Sequence, residues 1–230
     1  EGYSSIKAVD YLKFMVHTTA VNITKMFGIT GRVISSSTAC TTSSQSLGFG
    51  YEMIKYGMQD AMLCGGADEY DMSTVAVFDN LLACSTDYNE TPHMTPRPFD
   101  RDRDGLVVGE GAGMLILKRL DDALQSEDAI LGVVRGVGLS NDMRGNLLAP
   151  DARGQLQAMK TAYLNADWRP TDVDLIECHG AGTPRGDQTE IHSLQQLWQD
   201  HDWTSRQCPI GSVKSNIGHL LTAAGAAGLI

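Results

Sequence analysis

The stretch VDLIECHGAGTPRGDQTEIHSLQQLWQ, residues 173–199, shows most clearly how this chain folds. Its first six residues, 173–178, predict a strand, and the small residues after them predict a turn. The periodic pattern of 188–199 predicts a helix, with Asp187 as its N-cap and Glu190 completing a variant of the capping box. A strand followed by a turn and a helix is the repeating unit of α/β folds.

The same alternation extends outward over the rest of the 230 residues. Further helices are expected at 9–26, 41–57, 154–165 and from about 219 onward, and further strands at 32–36, 61–64, 113–118, 130–138 and 209–213. Gly65 and Gly66 are expected to close the strand at 61–64. The proline and aspartate content of 80–105 predicts a long ordered loop. We therefore expect an α/β fold with helices covering its sheets.

Charge and cysteine content narrow the classes of function. The net charge of −10 disfavours binding to nucleic acid and to anionic membranes. No apolar run is long enough for a transmembrane helix, and the first residues lack the apolar region of a signal peptide. The five cysteines lie far apart without a C-x-x-C pair, which argues against a disulfide framework or a zinc site. These features favour a cytoplasmic protein with reduced thiols.

Cys40 is the first candidate for chemistry, since it lies where the predicted strand 32–36 meets the helix 41–57. At a helix N-terminus, the helix dipole and free backbone N–H groups favour a thiolate. The same N–H groups can bind an oxyanion once an acyl group is attached to the sulfur. A cysteine in this position can equally be a small buried apolar residue.

Two histidines also follow predicted strands. His179 comes directly after the strand 173–178, and His219 follows Lys214 after the strand 209–213. Strand ends are where sites form in α/β proteins, although a histidine there is often only a structural hydrogen-bonding residue. One cysteine and two histidines at strand ends together indicate acyl–thiol chemistry. Cys178 is expected to face the core, because neighbouring strand residues point to opposite sides. No comparable setting surrounds the other histidines, His17, His93, His192 and His201.

Four segments, in this order, resemble the signatures of the β-ketoacyl synthase family: TAC at 38–40, PFD to GEGAG at 98–113, ECHGAGT at 177–183 and KSNIGH at 214–219. The resemblance implies a thiolase-like αβαβα layered fold, usually paired as a homodimer. Residues 1–125 would be the later part of the N-terminal half, and 126–230 most of the C-terminal half. The start at Glu1 and the end at Ile230 suggest a piece of a longer synthase, without its first and last strands.

The family's mechanism implies a role for each site residue. Cys40 would accept an acyl group from phosphopantetheine, which is delivered on an acyl carrier protein and is not a permanently bound cofactor. His179 and His219 would stabilise the enolate that forms when a malonyl group loses CO₂, with Lys214 behind His219. Thr183 would contact the pantetheine arm. We expect the cysteine and both histidines to line one pocket.

Two positions depart from the family's pattern. Ala181 stands where the family usually has Thr, and Gly228 stands where many dissociated fatty-acid synthases carry a Glu paired with the Lys. Fatty-acid and polyketide synthesis therefore both stay open. Three other interpretations also stay open: a Cys–His thioester hydrolase or cysteine peptidase, a non-catalytic partner subunit, and a carrier-binding scaffold.

Overall fold

The computed structural model describes residues 7–145, 149–199 and 208–230, so His201 lies outside the described part. The helices are α1 (Ala8–Lys13), α2 (His17–Phe27), α3 (Thr42–Lys55), α4 (Met72–Asn80), α5 (Leu120–Gln125), α6 (Ala152–Ala166), α7 (Pro184–Gln199), α8 (Lys214–Ile217) and α9 (Ala224–Leu229). The strands are β1 (Ala61–Asp68), β2 (Gly111–Lys118), β3 (Ile176–Glu177) and β4 (Ile210–Gly211). Within these ranges, no helix has both the length and the apolar character needed to cross a membrane.

The first sheet is an antiparallel pair of β1 and β2, with Ala61 opposite Lys118 and Asp68 opposite Gly111. Helices α3 and α9 both pack against this sheet and against each other. The contact between the helices is close, because the backbone N–H of Ala226 donates to the buried hydroxyl of Ser43 at 2.9 Å. Small residues from both ends of the chain thus share one core with the sheet.

The second sheet pairs β3 and β4 in parallel, with Ile176 opposite Ile210. It is tied to the first part of the chain through His219, whose N–H donates to the carbonyl of Val107 at 2.7 Å. The carbonyl of His219 accepts from the N–H of Gly109 at 2.9 Å. Backbone hydrogen bonds therefore fix the position of a candidate site residue from the second half against the segment before β2.

The predicted strands at 32–36 and 130–138 are wrong, since neither segment forms a strand in the described ranges. In both segments, hydrogen bonds between a side chain and a backbone carbonyl occur where hydrogen bonds between neighbouring strands were expected. The Ser36 hydroxyl donates to the Thr42 carbonyl at 3.2 Å. In the later segment, the Asn165 amide donates to the Val137 carbonyl at 2.7 Å. An apolar pattern alone is not sufficient for a strand, because a strand also needs a hydrogen-bonded neighbour.

Several boundaries also differ from the predictions. The helix expected at 9–26 is split into α1 and α2, although Gly28 does end it with φ 64. Gly65 and Gly66 lie inside β1 and do not close it. The strands expected at 173–178 and 209–213 shorten to two residues each. The last helix, α9, begins at Ala224 after a short turn.

Asp187 is not the N-cap of its helix, because α7 begins three residues earlier at Pro184. The carboxylate is almost completely buried and accepts the N–H of Phe99 at 2.7 Å and that of Gly182 at 3.1 Å. Arg103 lies 3.5 Å away as its ion-pair partner. Asp187 therefore joins the loop before β2 to the turn after β3, because a buried carboxylate needs such partners.

Candidate active site

Cys40 lies in a 3-10 turn, Ala39–Thr41, directly before α3. Ala39 has φ 51, a left-handed conformation that is uncommon for a residue with a side chain and often marks a functional site. The turn is held by Thr42, whose hydroxyl donates to the Ala39 carbonyl at 2.7 Å and accepts from the Thr38 N–H at 2.9 Å. The prediction of a cysteine at a helix N-terminus is confirmed.

The expectation that this position favours the thiolate is wrong in its net effect. Partial burial raises the pKa of Cys40 above its ordinary value, and the carboxylate of Asp68 adds to the rise. The positive charge of Lys214 opposes both, and it is the strongest influence that lowers this pKa. Formation of the thiolate therefore depends on Lys214, which comes from the other half of the chain.

His179 follows β3, and the carboxylate of Glu190 holds its backbone. Glu190 accepts the N–H of His179 at 2.6 Å and that of Gly180 at 2.8 Å. Gly180 has φ 37, and a Cβ there would lie 2.7 Å from Ser212, so only glycine fits this turn. Two hydrogen bonds to one carboxylate fix the direction in which the imidazole leaves the backbone.

His219 is almost completely buried, and its hydrogen bonds identify its tautomer. Its Nδ1 accepts the backbone N–H of Leu221 at 3.1 Å. The ring proton must then be on Nε2, because a neutral imidazole has one donor and one acceptor nitrogen. Within the described ranges, this Nε2 is buried and has no hydrogen-bond partner. The histidine therefore presents an unused N–H donor inside the protein.

The two imidazoles are in contact, with ring centroids 5.1 Å apart and an interplanar angle of 76°. Burial, together with the charges of His179 and Lys214, lowers the pKa of His219 to about 3. Desolvation by the surrounding protein, together with the charge of Lys214, lowers the pKa of His179 to about 4. His179 still exposes part of its surface to solvent, which weakens the desolvation, but Lys214 acts in the same direction. Both rings are thus neutral near pH 7.

Lys214 connects the candidate residues electrostatically. Only 5% of its surface is exposed, and burial lowers the pKa of its ammonium group. Its charge acts on Cys40 and on both histidines. The turn that carries Cys40 also packs against Leu221–Ala223, the turn that directly follows His219. The structure thus brings together four of the five residues selected from the sequence.

Thr183 is the fifth selected residue, and it occupies a different environment. It is half-buried before α7, where its carbonyl accepts the Asp187 N–H at 3.1 Å. Its hydroxyl lies over Gly186, where a Cβ would collide with it. Its role in binding pantetheine stays a prediction.

Sequence reasoning missed two carboxylates that act on Lys214, those of Glu177 and Glu190, as residues of the site. Glu190 was interpreted only as part of a capping box, yet its carboxylate binds the backbone of the His179 turn. Glu177 accepts the Val213 N–H at 2.7 Å, next to Lys214. The adjacency of Glu177 to His179 in sequence was the available signal. Two other predictions are confirmed: Cys178 is buried, and His192 is exposed on α7.

Comparison with known families gives two matches that together cover most of the chain. Residues 3–123 match the N-terminal domain of β-ketoacyl synthases, and residues 131–230 match the C-terminal domain. Among curated relatives, the mitochondrial 3-oxoacyl-[acyl-carrier-protein] synthase of Arabidopsis thaliana is 34% identical over 93% of this chain and 47% of its own length. The 3-oxoacyl-[acyl-carrier-protein] synthase 2 of Vibrio harveyi is 36% identical over 92% of this chain and 51% of its own.

Solved structures show the same relationship. A β-ketoacyl synthase from Burkholderia phymatum STM815 superposes with a TM-score of 0.91 and 38% identity, covering 99% of this chain and 54% of that one. A type II polyketide ketosynthase solved with its acyl carrier protein, AntDE:AntF, has a TM-score of 0.90 and 29% identity, covering 98% of this chain and 55% of that one. The thiolase-like layered α/β fold is thereby confirmed. The chain spans about half the length of the curated relatives that it matches.

Proposed function

This chain belongs to the β-ketoacyl synthase family, and from that premise we propose that the complete protein is a 3-oxoacyl-[acyl-carrier-protein] synthase. It joins an acyl group held on Cys40 to a malonyl group on a carrier protein, with loss of CO₂. The product belongs to fatty-acid or polyketide synthesis. Cys40 is the nucleophile, His179 and His219 are hydrogen-bond donors, and Lys214 sets the local electrostatic field.

The observation that carries the proposal is the hydrogen bond from the Leu221 N–H to Nδ1 of His219. It makes His219 a donor through Nε2, which suits an oxygen atom that gains negative charge. Such preorganised donors in a buried site stabilise a developing oxyanion strongly. His179, with its lowered pKa and its ring against His219, supplies the second neutral imidazole.

The reaction then proceeds in three balanced steps. The Cys40 thiolate attacks the acyl thioester carbonyl, and the carrier's phosphopantetheine leaves as a thiolate, which takes up a proton from solvent. The malonyl group next loses CO₂, and the electrons of the broken C–C bond form an enolate whose oxygen accepts hydrogen bonds from His179 and His219. The enolate carbon finally attacks the acyl–Cys40 carbonyl, a C–C bond forms, and the cysteine leaves as a thiolate, favoured by Lys214.

A Cys–His hydrolase would need the opposite tautomer. There, Nδ1 donates to an orienting carboxylate or amide, and Nε2 accepts the proton of the nucleophile. At His219, Nδ1 is an acceptor, so this ring has no free acceptor nitrogen for a general base. Cys40 also argues against a non-catalytic partner subunit, which would have no use for the nucleophile.

We further propose an acyl carrier protein as the partner, supported by the relatives' names and by the solved carrier complex of a similar ketosynthase. A homodimer is proposed from the family resemblance, and the exposed apolar side chains of α1 and α2, such as Leu12 and Met26, are compatible with it. The halves 1–125 and 126–230 would contribute the nucleophile and the histidines, respectively. Five free cysteines support a reducing compartment such as the cytoplasm.

The test uses the complete protein with an acyl-carrier and a malonyl-carrier substrate. A synthase releases CO₂ and forms a 3-oxoacyl thioester, and the product mass identifies it. His179→Ala and His219→Ala should each lower the rate of CO₂ release by about 10²–10³. Release of free acyl acid without CO₂ would instead identify a thioester hydrolase.

A further inference from the structure

The side chain of Glu177 lies beside Gly228, where a larger residue would crowd it. A Cβ at Gly228 would lie 3.2 Å from Cγ and 3.4 Å from Oε1 of Glu177. The same Oε1 accepts the N–H of Val213 at 2.7 Å, which places the carboxylate beside the residue that precedes Lys214. Glu177 pairs with Gly211 in the parallel sheet, so β3, the Lys214 turn and α9 meet at this carboxylate.

Lys214 is a buried cation, and burial of a cation is costly unless negative charge compensates it. The groups that act on or respond to Lys214 are the carboxylates Glu177 and Glu190, the thiols Cys40 and Cys178, and the imidazoles His179 and His219. Among them, the two carboxylates are the groups whose negative charge favours the protonated lysine. Glu190 is already bonded to the backbone of the His179 turn. Glu177 is the carboxylate tied to the backbone of Lys214's own segment.

We propose that Glu177 is a positioning residue: through the Val213 N–H it holds the turn that carries Lys214, and its carboxylate, for which Gly228 leaves room, places negative charge near the buried lysine. The proposal deepens the function proposed above, since Lys214 is the group that promotes the Cys40 thiolate. Glu177 is exposed to solvent, whereas Lys214 is buried, so the carboxylate lies on the solvent side of the lysine. Without the carboxylate, Lys214 loses its proton at a lower pH and Cys40 loses its cationic neighbour.

The experiment measures the rate at which iodoacetamide alkylates Cys40 as a function of pH in the complete protein, by mass spectrometry of the Cys40 peptide. Only the thiolate reacts, so the midpoint of the profile reports the pKa of this thiol. Lys214→Met should move the midpoint to higher pH. Glu177→Gln should move it in the same direction by about one unit, which is about a tenfold lower rate at a fixed pH below the midpoint.

A double mutant and two further variants make the test specific. Glu177→Gln combined with Lys214→Met should match Lys214→Met alone, because the glutamate acts through the lysine. Asp174→Asn, which removes an exposed charge three residues before Glu177, should leave the profile unchanged. Gly228→Val crowds Glu177 without removing any charge, so it should also shift the midpoint to higher pH. It replaces Glu177→Gln as the test variant if that protein does not fold.

A wild-type profile for both Glu177→Gln and Gly228→Val would overturn the proposal. So would a Glu177→Gln shift that persists in full in the Lys214→Met background. Alkylation requires no carrier substrate and no decarboxylation. Failure of the condensation assay would therefore leave this measurement interpretable, and the two proposals can fail separately.

Discussion

Substitution can separate two functions of His219, because its two ring nitrogens make different interactions. Nδ1 accepts the Leu221 N–H and stabilises the turn, whereas Nε2–H has no partner in the described ranges and faces the proposed oxyanion. His219→Asn places an amide oxygen near the position of Nδ1 and removes the donor at Nε2. His219→Gln places an amide N–H near the position of Nε2 and removes the acceptor for Leu221.

The expected losses of rate and of stability differ in opposite directions between the two variants. Loss of one oxyanion donor costs about 10²–10³ in rate, or roughly 2.7–4 kcal/mol. The Leu221 backbone is buried, so leaving its N–H without an acceptor costs about 1–3 kcal/mol of folding free energy. His219→Asn should therefore lose decarboxylation by about 10²–10³ while unfolding close to the wild type. His219→Gln should keep more activity and lose about 1–3 kcal/mol of stability.

Two assays on the complete protein check this crossover. Release of labelled CO₂ from a malonyl thioester gives the decarboxylation rate, and urea unfolding gives the free energy of unfolding. Acylation of Cys40 serves as the internal control, because it does not use the enolate donor. Decarboxylation at the wild-type rate in His219→Asn would refute the assignment of Nε2 as a donor to the enolate.

Two further predictions follow from the geometry around the histidines. Because the pKa of His219 falls to about 3 in the folded state, its contribution to stability is complete above its unfolded pKa of about 6.5 and is lost as pH falls toward 3. The fall in unfolding free energy between pH 6.5 and 4 should thus be shallower in His219→Asn, and equal slopes in urea titrations would contradict this. Glu190→Gln weakens two hydrogen bonds that fix the His179 turn, so CO₂ release should fall about tenfold or more. The control is Asp142→Asn, because Asp142 also accepts backbone N–H groups but lies in the loop before α6. This variant should keep the wild-type rate. Equal losses in both variants would argue against a specific role for Glu190.

The sequence was sufficient to select Cys40 and both histidines as candidates, because each lies beside a strong local signal. The TAC segment precedes a clear amphipathic helix, and His179 and His219 each follow an apolar run. Their convergence could be predicted only from the family resemblance, since Cys40 and the histidines come from different halves. No local pattern specifies that the His219 backbone bonds to Val107 and Gly109.

The predictions that were wrong share one physical cause, which is contact between segments that are distant in sequence. The segment 130–138 has the composition of a strand, but its Val137 carbonyl accepts from Asn165 on α6. Asp187 has the sequence of an N-cap, but it is buried against Phe99 and Arg103 from the loop before β2. The helix N-terminus at Cys40 suggested a lowered pKa, whereas burial by the rest of the fold raises it. Burial and long-range pairing depend on tertiary structure, which a local pattern does not contain.

Acyl transfer to the enzyme tests the central claim most directly. The complete protein is incubated with an acyl-pantetheine thioester, digested, and mapped by mass spectrometry for cysteines that carry the acyl group. We predict acylation at Cys40, and its loss in Cys40→Ser with no transfer to another site. Acylation of Cys64, Cys84, Cys178 or Cys208, with Cys40 unmodified, would contradict the assignment of the nucleophile and the mechanism built on it.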